Sequence, residues 1–158
     1  KVRLMDVDSE LILLGGNGTG KTEFYDELNS QLISKCRFVE GLSFTTSITD
    51  IHKIIIHHLY EYRKKHMEEL IQKYEKLVKD GLTAKRNSVI YRALEMGAVE
   101  ILIVSTNYHT HSQFKNIIKM LEIAKKTSCK IEFASSSKII KKLEIDDSVL
   151  AILRYKIK

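Results

Sequence analysis

Proline and tryptophan are absent from the 158 residues, and glycine occurs only seven times. Without proline to end helices or fix turns, punctuation falls to glycines and polar caps, and element boundaries are read from those. Cysteine is scarce as well. Cys36 and Cys129 have no metal-ligand spacing, which argues against a zinc framework and for buried thiols in a reduced, cytoplasmic compartment. No apolar run reaches membrane-spanning length and no secretory segment opens the chain, so no membrane partner is expected. A compact arginine cluster is also missing. The net charge of +6 and pI near 9.2 favour acidic partners, nucleic acid first. Because that charge is spread along the chain, proximity to the ribosome is expected and sequence-specific DNA readout is not. The first residue is Lys rather than Met, and the chain is expected to be part of a longer protein.

Tyr91 to Val104, YRALEMGAVEILIV, organises the rest. Tyr91, Leu94 and Ala98 lie at helical spacing, with Arg92 and Glu95 on the other side. Gly97 supplies the stop, because a residue without Cβ takes the left-handed cap conformation at little cost. From Val99 the run VEILIV is short and largely β-branched, as a strand buried on both faces requires. Helix, glycine and buried strand together predict an α/β sandwich.

Around this nucleus the periodicity predicts further elements. Lys1 to Asp8 reads as a partly polar strand or its lead-in, Glu10 to Leu14 as a short buried strand, and Arg37 to Ser43 as another. Thr49 or Asp50 can cap the next helix. Its apolar residues, from Ile51 through Tyr62 and Tyr74 to Val78, form one long helical stripe, either broken near Lys64–His66 or linking two domains. Asp80-Gly81 ends it. Residues 82–90 lead into the Tyr91 helix, Ser105 to Ser112 is a polar loop, and Phe114 to Ala124 is an amphipathic helix. Lys130 to Ala134 reads as a strand, SSSK as a turn, Ile139 to Leu143 as a short helix and Val149 to Tyr155 as the closing strand.

Gly15 to Thr22, GGNGTGKT, satisfies the phosphate-loop pattern, with a strand before it and the helical pattern Phe24, Leu28, Leu32 after it. In such a loop backbone amides and Lys21 would hold phosphates and Thr22 a magnesium ion, with Gly15 and Gly20 permitting the close approach. Against it, the later buried strand ends in Ser105 rather than a metal-holding Asp, and no second strand–helix series follows. The six histidines do not form a ligand set: His57 and His58 are adjacent and diverge on a helix, and His109 and His111 have no acidic or Cys partner nearby in sequence. Neither metal nor cofactor is expected.

ALEMGAVEILIV resembles the opening of the C-terminal domain of the class 1 release factors of archaea and eukaryotes. Leu70-Ile71-Gln72-Lys73-Tyr74 resembles the L-I-G-R-Y of that family at the same distance upstream, and Ile152-Leu153-Arg154-Tyr155 resembles its closing G-I-L-R-Y. The family's strand, glycine turn and acidic helix are similar to Leu13 to Leu28, including Glu23, Phe24, Glu27 and Leu28, which gives the phosphate-loop pattern a structural reading. One departure is large. Release factors insert a mini-domain after the strand that follows ALEMG, and Ser105 to Gln113 leaves no room for it. Pelota-type ribosome-rescue factors lack that insertion and also end in I-L-R-aromatic, so they are the nearest competitor.

The resemblance implies residues 1–79 as the end of a middle domain including the long helix, and 80–158 as a C-terminal αβα sandwich like that of ribosomal proteins that bind kinked RNA. The expected function is translation termination by docking the class 2 release-factor GTPase on the ribosome, with ribosome rescue as the alternative. By resemblance the docking residues are Arg92, Glu95, Met96, Ile152, Leu153, Arg154 and Tyr155. Neither the family's hydrolytic GGQ loop nor its codon-reading domain lies in these residues, so no enzymatic activity is expected. If Val149 to Tyr155 is one strand covered on both sides, Ile152 and Leu153 are core, while Arg154 must find a partner or reach the rim.

Overall fold

The computed structural model describes residues 9–157 apart from 111, 136–138, 142 and 144–147. The expected strand at Lys1 to Asp8, His111 and most of the SSSK turn lie outside the described residues. The chain divides into two compact units, Lys1–Glu61 and Tyr62–Lys158.

In the first unit, β1 (Ile12–Gly15) pairs in parallel with β2 (Cys36–Val39). Between them run α1 (Gly20–Asp26) and α2 (Ser30–Lys35). The single helical pattern read across Phe24, Leu28 and Leu32 is two helices, because Asn29 adopts extended backbone and its side chain accepts from the Leu32 amide as a fresh N-cap. The long helix α3 (Ile48–Val78) starts a residue earlier than either expected cap. Ser47 caps it: its Oγ accepts from the Asp50 amide at 3.2 Å and donates to the Asp50 carboxylate at 2.7 Å. No break occurs at Lys64–His66, so the helix is of the linking kind.

The second unit is built on a mixed sheet of order β3-β6-β4-β5. Its strands are β3 (Thr83–Ala84), β4 (Val99–Ser105), β5 (Lys130–Ala134) and β6 (Val149–Leu153). β4 runs parallel to β5 and antiparallel to β6, with Leu102 opposite Ala151. β3, which periodicity does not reveal, is a two-residue edge pairing Thr83 with Ile152. One face of the sheet is covered by α4 (Asn87–Glu95) and α5 (Phe114–Lys126), through Ile90, Leu94, Ile117 and Met120. The other is covered by Met67, Leu70, Ile71 and Tyr74 of α3, with Ile139 and Leu143 from the short helical stretch. The C-terminal half of α3 therefore belongs to the second core, and the compact units part inside the helix rather than after residue 79 as the sequence reading divides them. All five residues of β6 are buried, Val149, Ala151 and Leu153 towards one layer and Leu150 and Ile152 towards the other. This is the αβα sandwich that a strand buried on both faces demands.

Candidate functional site

The residues that the family resemblance singles out meet where α4 ends and β6 leaves the sheet. α4 is strongly amphipathic: Ile90, Ala93 and Leu94 are buried, whereas Arg92, Glu95 and Met96 face out. Gly97 at φ +65 turns the chain, its amide donating to the Leu94 carbonyl and the Ala98 amide to Ala93. β6 ends at Leu153, so Arg154 and Tyr155 are not strand residues as expected but form a bend that folds back over this turn. The Arg154 amide donates to the Ala98 carbonyl at 2.7 Å. Its guanidinium donates to the carbonyls of Gly97 at 3.1 Å and Ser128 at 3.0 Å, with a longer contact to Thr127 at 3.5 Å. The Tyr155 hydroxyl donates to the Met96 carbonyl at 2.7 Å. Both the α4 and α5 helices end at these carbonyls, so a cation stands where two helix C-termini present unpaired acceptors.

Two of the proposed contact residues are excluded from any partner surface. Ile152 and Leu153 are 0% and 3% exposed and belong to the core. Arg154 is exposed at the surface, yet its guanidinium is engaged by main-chain carbonyls. The outward face that remains consists of Arg92, Glu95, Met96 and Tyr155, the last two nearly half exposed. It is extended by Val89, exposed and placed three residues before Arg92, and by the half-buried Ile157. Ser88, Val89, Arg92 and Ile157 line a shallow depression of about 360 Å³. The sequence reading omits Val89 and Ile157. The i, i+3, i+7 spacing of Val89, Arg92 and Met96 could have supplied Val89, but nothing in sequence marks Ile157.

The glycine-rich turn holds its residues for structural reasons. A Cβ on Gly15 would run into Leu42 Cδ1 and lie 3.0 Å from Leu42 Cβ, so packing alone requires glycine there. Gly20, by contrast, has nothing within 4 Å. The Thr22 amide, which a phosphate cradle would aim at an anion, donates to the Thr19 carbonyl at 2.9 Å. Thr19 Oγ1 donates to the Glu23 carboxylate at 3.0 Å, placing a negative charge in the first turn of α1. Lys21 is half-buried and Thr22 exposed.

Both cysteines are free and buried. Burial pushes the Cys129 thiol up to about 11, which leaves it protonated and unreactive near neutrality. Among the described residues no three His, Cys, Asp or Glu side chains converge as metal ligands, and no helix is long and apolar enough to cross a membrane.

No protein-family model matches the chain. A Pelota homologue of Methanocaldococcus jannaschii is 31% identical over 127 residues, which cover 75% of this chain and 36% of that protein. Among solved structures, the model of ribosome-bound archaeal Pelota and ABCE1 superposes with a TM-score of 0.70 at 20% identity, covering 94% of this chain and 44% of that one. Dom34 of S. cerevisiae, a translation termination-like factor involved in RNA quality control pathways and interacting with Hbs1, gives 0.67 at 16% identity, covering 94% and 47%. The C-terminal domain of a peptide chain release factor from Methanosarcina mazei gives 0.54 at 15% identity, covering 72% of this chain and 98% of that domain. The chain thus spans less than half of the Pelota and Dom34 proteins it matches. The sequence reading sets a stop-codon factor ahead of Pelota; the match in sequence reverses that order. The chain has the fold shared by Pelota and the class 1 release factors, and its detected sequence relationship runs to Pelota.

Proposed function

We propose that the chain is the GTPase-docking portion of a Pelota-type ribosome-rescue factor and that it binds through the outward face of α4 and the Tyr155 tail. The observation that carries this is the sequence match to a Pelota homologue. The local architecture supports it. β4 ends at Ser105 and α5 begins at Phe114, and the intervening loop holds only a 3-10 turn at Tyr108–Thr110, without room for a mini-domain. Hbs1, the partner named for S. cerevisiae Dom34, marks the kind of partner, and the resemblance implies a translational GTPase. The patch suits such a role: apolar Val89, Met96 and Tyr155 sit among the charges of Arg92 and Glu95, the mix found at regulated protein interfaces. In this reading the chain docks and positions and does not itself hydrolyse peptidyl-tRNA.

The test uses the intact protein with ribosomes and its translational GTPase. Co-sedimentation with ribosomes stalled without a stop codon, dependent on the GTPase, is the expected result. Recruitment only to ribosomes carrying a stop codon would return the assignment to a class 1 release factor. Failure to bind any translational GTPase would reject both.

A further inference from the structure

A second surface lies on the Tyr91 side of α4, away from Arg92 and Met96. There the starts of α4 and α5 border an open groove of about 730 Å³, lined by Arg86, Asn87, Ser88, Tyr91, Gln113 and Asn116. A further depression of about 500 Å³ shares Gln113 and Asn116 and continues to Phe114 and Lys115. The N-cap residues of the two helices are Arg86 and Gln113, and neither caps its helix with a side-chain hydrogen bond. First-turn amides and the positive ends of two helix dipoles are thus left at the groove. Both polar atoms of the Asn87 side chain are buried in its wall without a partner, the mark of a missing ligand group. Arg86 and Lys115 add exposed cations.

Beyond Lys115 the surface becomes aromatic. The rings of Tyr108 and Phe114 stack at 5.8 Å with 20° between their planes, and Tyr108 lies 6.3 Å from Phe133. Phe114 and Phe133 are 38% and 48% exposed. Exposed rings beside helix starts and cations match a ligand that carries negative charge at intervals and flat unpaired bases between. Single-stranded nucleic acid has that chemistry, whereas a duplex hides its base faces.

We propose that this groove binds single-stranded RNA, with phosphates at Arg86, Lys115 and the starts of α4 and α5, and a base against the Phe114–Tyr108–Phe133 rings. The inference goes beyond the docking reading and does not depend on it.

The experiment is fluorescence anisotropy of a labelled, mixed-sequence single-stranded RNA titrated with the full chain, repeated over a range of salt. Arg86→Glu with Lys115→Glu should weaken binding about tenfold and reduce the salt slope by about one per cation removed. Phe114→Ala with Phe133→Ala should weaken it about five- to tenfold at an unchanged salt slope. Thermal melts establish that each variant is folded; should the Phe pair unfold the chain, Phe133→Ser alone serves. Lys125→Glu with Lys126→Glu, at the other end of α5, should change binding less than about twofold. Loss of binding in that control equal to the Arg86/Lys115 loss would overturn the proposal. So would equal affinity for the same sequence as a duplex, or displacement of the RNA by an acidic peptide.

Discussion

The Arg154 guanidinium donates to the Gly97 carbonyl, 57 residues away in sequence, at 3.1 Å. Through that bond and the one to Ser128 at 3.0 Å, one side chain joins the ends of both helices that cover the same face of the sheet. The arginine of ILRY is therefore a structural fastener, whatever it contributes to docking. From sequence alone, Arg154→Ala is expected to weaken partner binding and spare the fold. The structure instead predicts a loss of about 1–2 kcal/mol, as charge-assisted hydrogen bonds to otherwise unpaired carbonyls provide. Arg154→Lys should recover only part of it, since one ammonium cannot bridge both carbonyls in a planar fork. Urea denaturation of the two variants checks this.

Leu153 sits one residue earlier and does a different job. It is 3% exposed, packed in the layer between the sheet and α4 and α5. Leu153→Ala should cost about 2–5 kcal/mol, the range for truncating buried leucines. Any reduction in partner binding should then track the unfolded fraction and disappear at lower temperature. A binding defect that persists in a fully folded sample would contradict its assignment to the core.

The contrast between these neighbours shows what was legible in the sequence. Burial was legible: the β-branched run Val99–Val104, the Gly97 stop and the apolar ILR approach all lie where periodicity places them, because a strand covered on both faces leaves few choices of residue. Direction was not. β6 ends at Leu153 and the chain bends at Arg154, since the ladder partner of Leu153 is Val99, at the first residue of β4. Nothing in the letters RY announces that bend. β3 escaped for a simpler reason: two residues, Thr83 and Ala84, carry no period. The α3 helix hides its division similarly. One unbroken apolar stripe serves two units, and only tertiary contacts show that Met67 to Tyr74 serve the sheet.

The exposed patch makes the sharpest functional prediction. Met96 is 47% exposed and follows α4 as its C-cap residue, so a charge there meets solvent in the free protein. Met96→Glu and Arg92→Glu should each leave the melting temperature nearly unchanged and weaken binding of the translational GTPase by about tenfold or more, as substitutions at the centre of an interface do. Glu95→Ala, nearer the rim, should change affinity little. Isothermal titration beside thermal melts separates the two effects.

For the glycine-rich turn, packing and phosphate binding make opposite forecasts. Gly15 faces Leu42, so Gly15→Ala should destabilise the first unit by displacing that side chain, at a cost of about 1–3 kcal/mol for overpacking. Lys21→Ala removes a half-buried lysine with no such constraint and should leave stability nearly unchanged. In a structural turn neither change alters the uptake of magnesium ATP or GTP measured by equilibrium dialysis. Measurable nucleotide binding that Lys21→Ala abolishes would establish the loop as a phosphate site.

The last prediction concerns acid. Glu132 on β5 is a largely buried carboxylate, and burial by itself would raise its pKa. Hydrogen bonds from Lys130 at 2.8 Å and from His66 of α3 at 3.3 Å outweigh that burial and hold it below the usual value. A carboxyl with a lowered folded pKa binds its proton less readily in the folded than in the unfolded state. Its stabilising contribution is therefore complete above the ordinary glutamate value of about 4.3 and is lost as the pH falls through the lower folded value. Glu132→Gln keeps the shape and removes the charge. At pH 6 the variant should be less stable than the wild type, and the gap should narrow as the pH drops below about 4.3. Denaturant midpoints measured across that range give the answer. A gap that stays constant down to the acid limit would mean that Glu132 holds α3 against β5 through packing rather than charge.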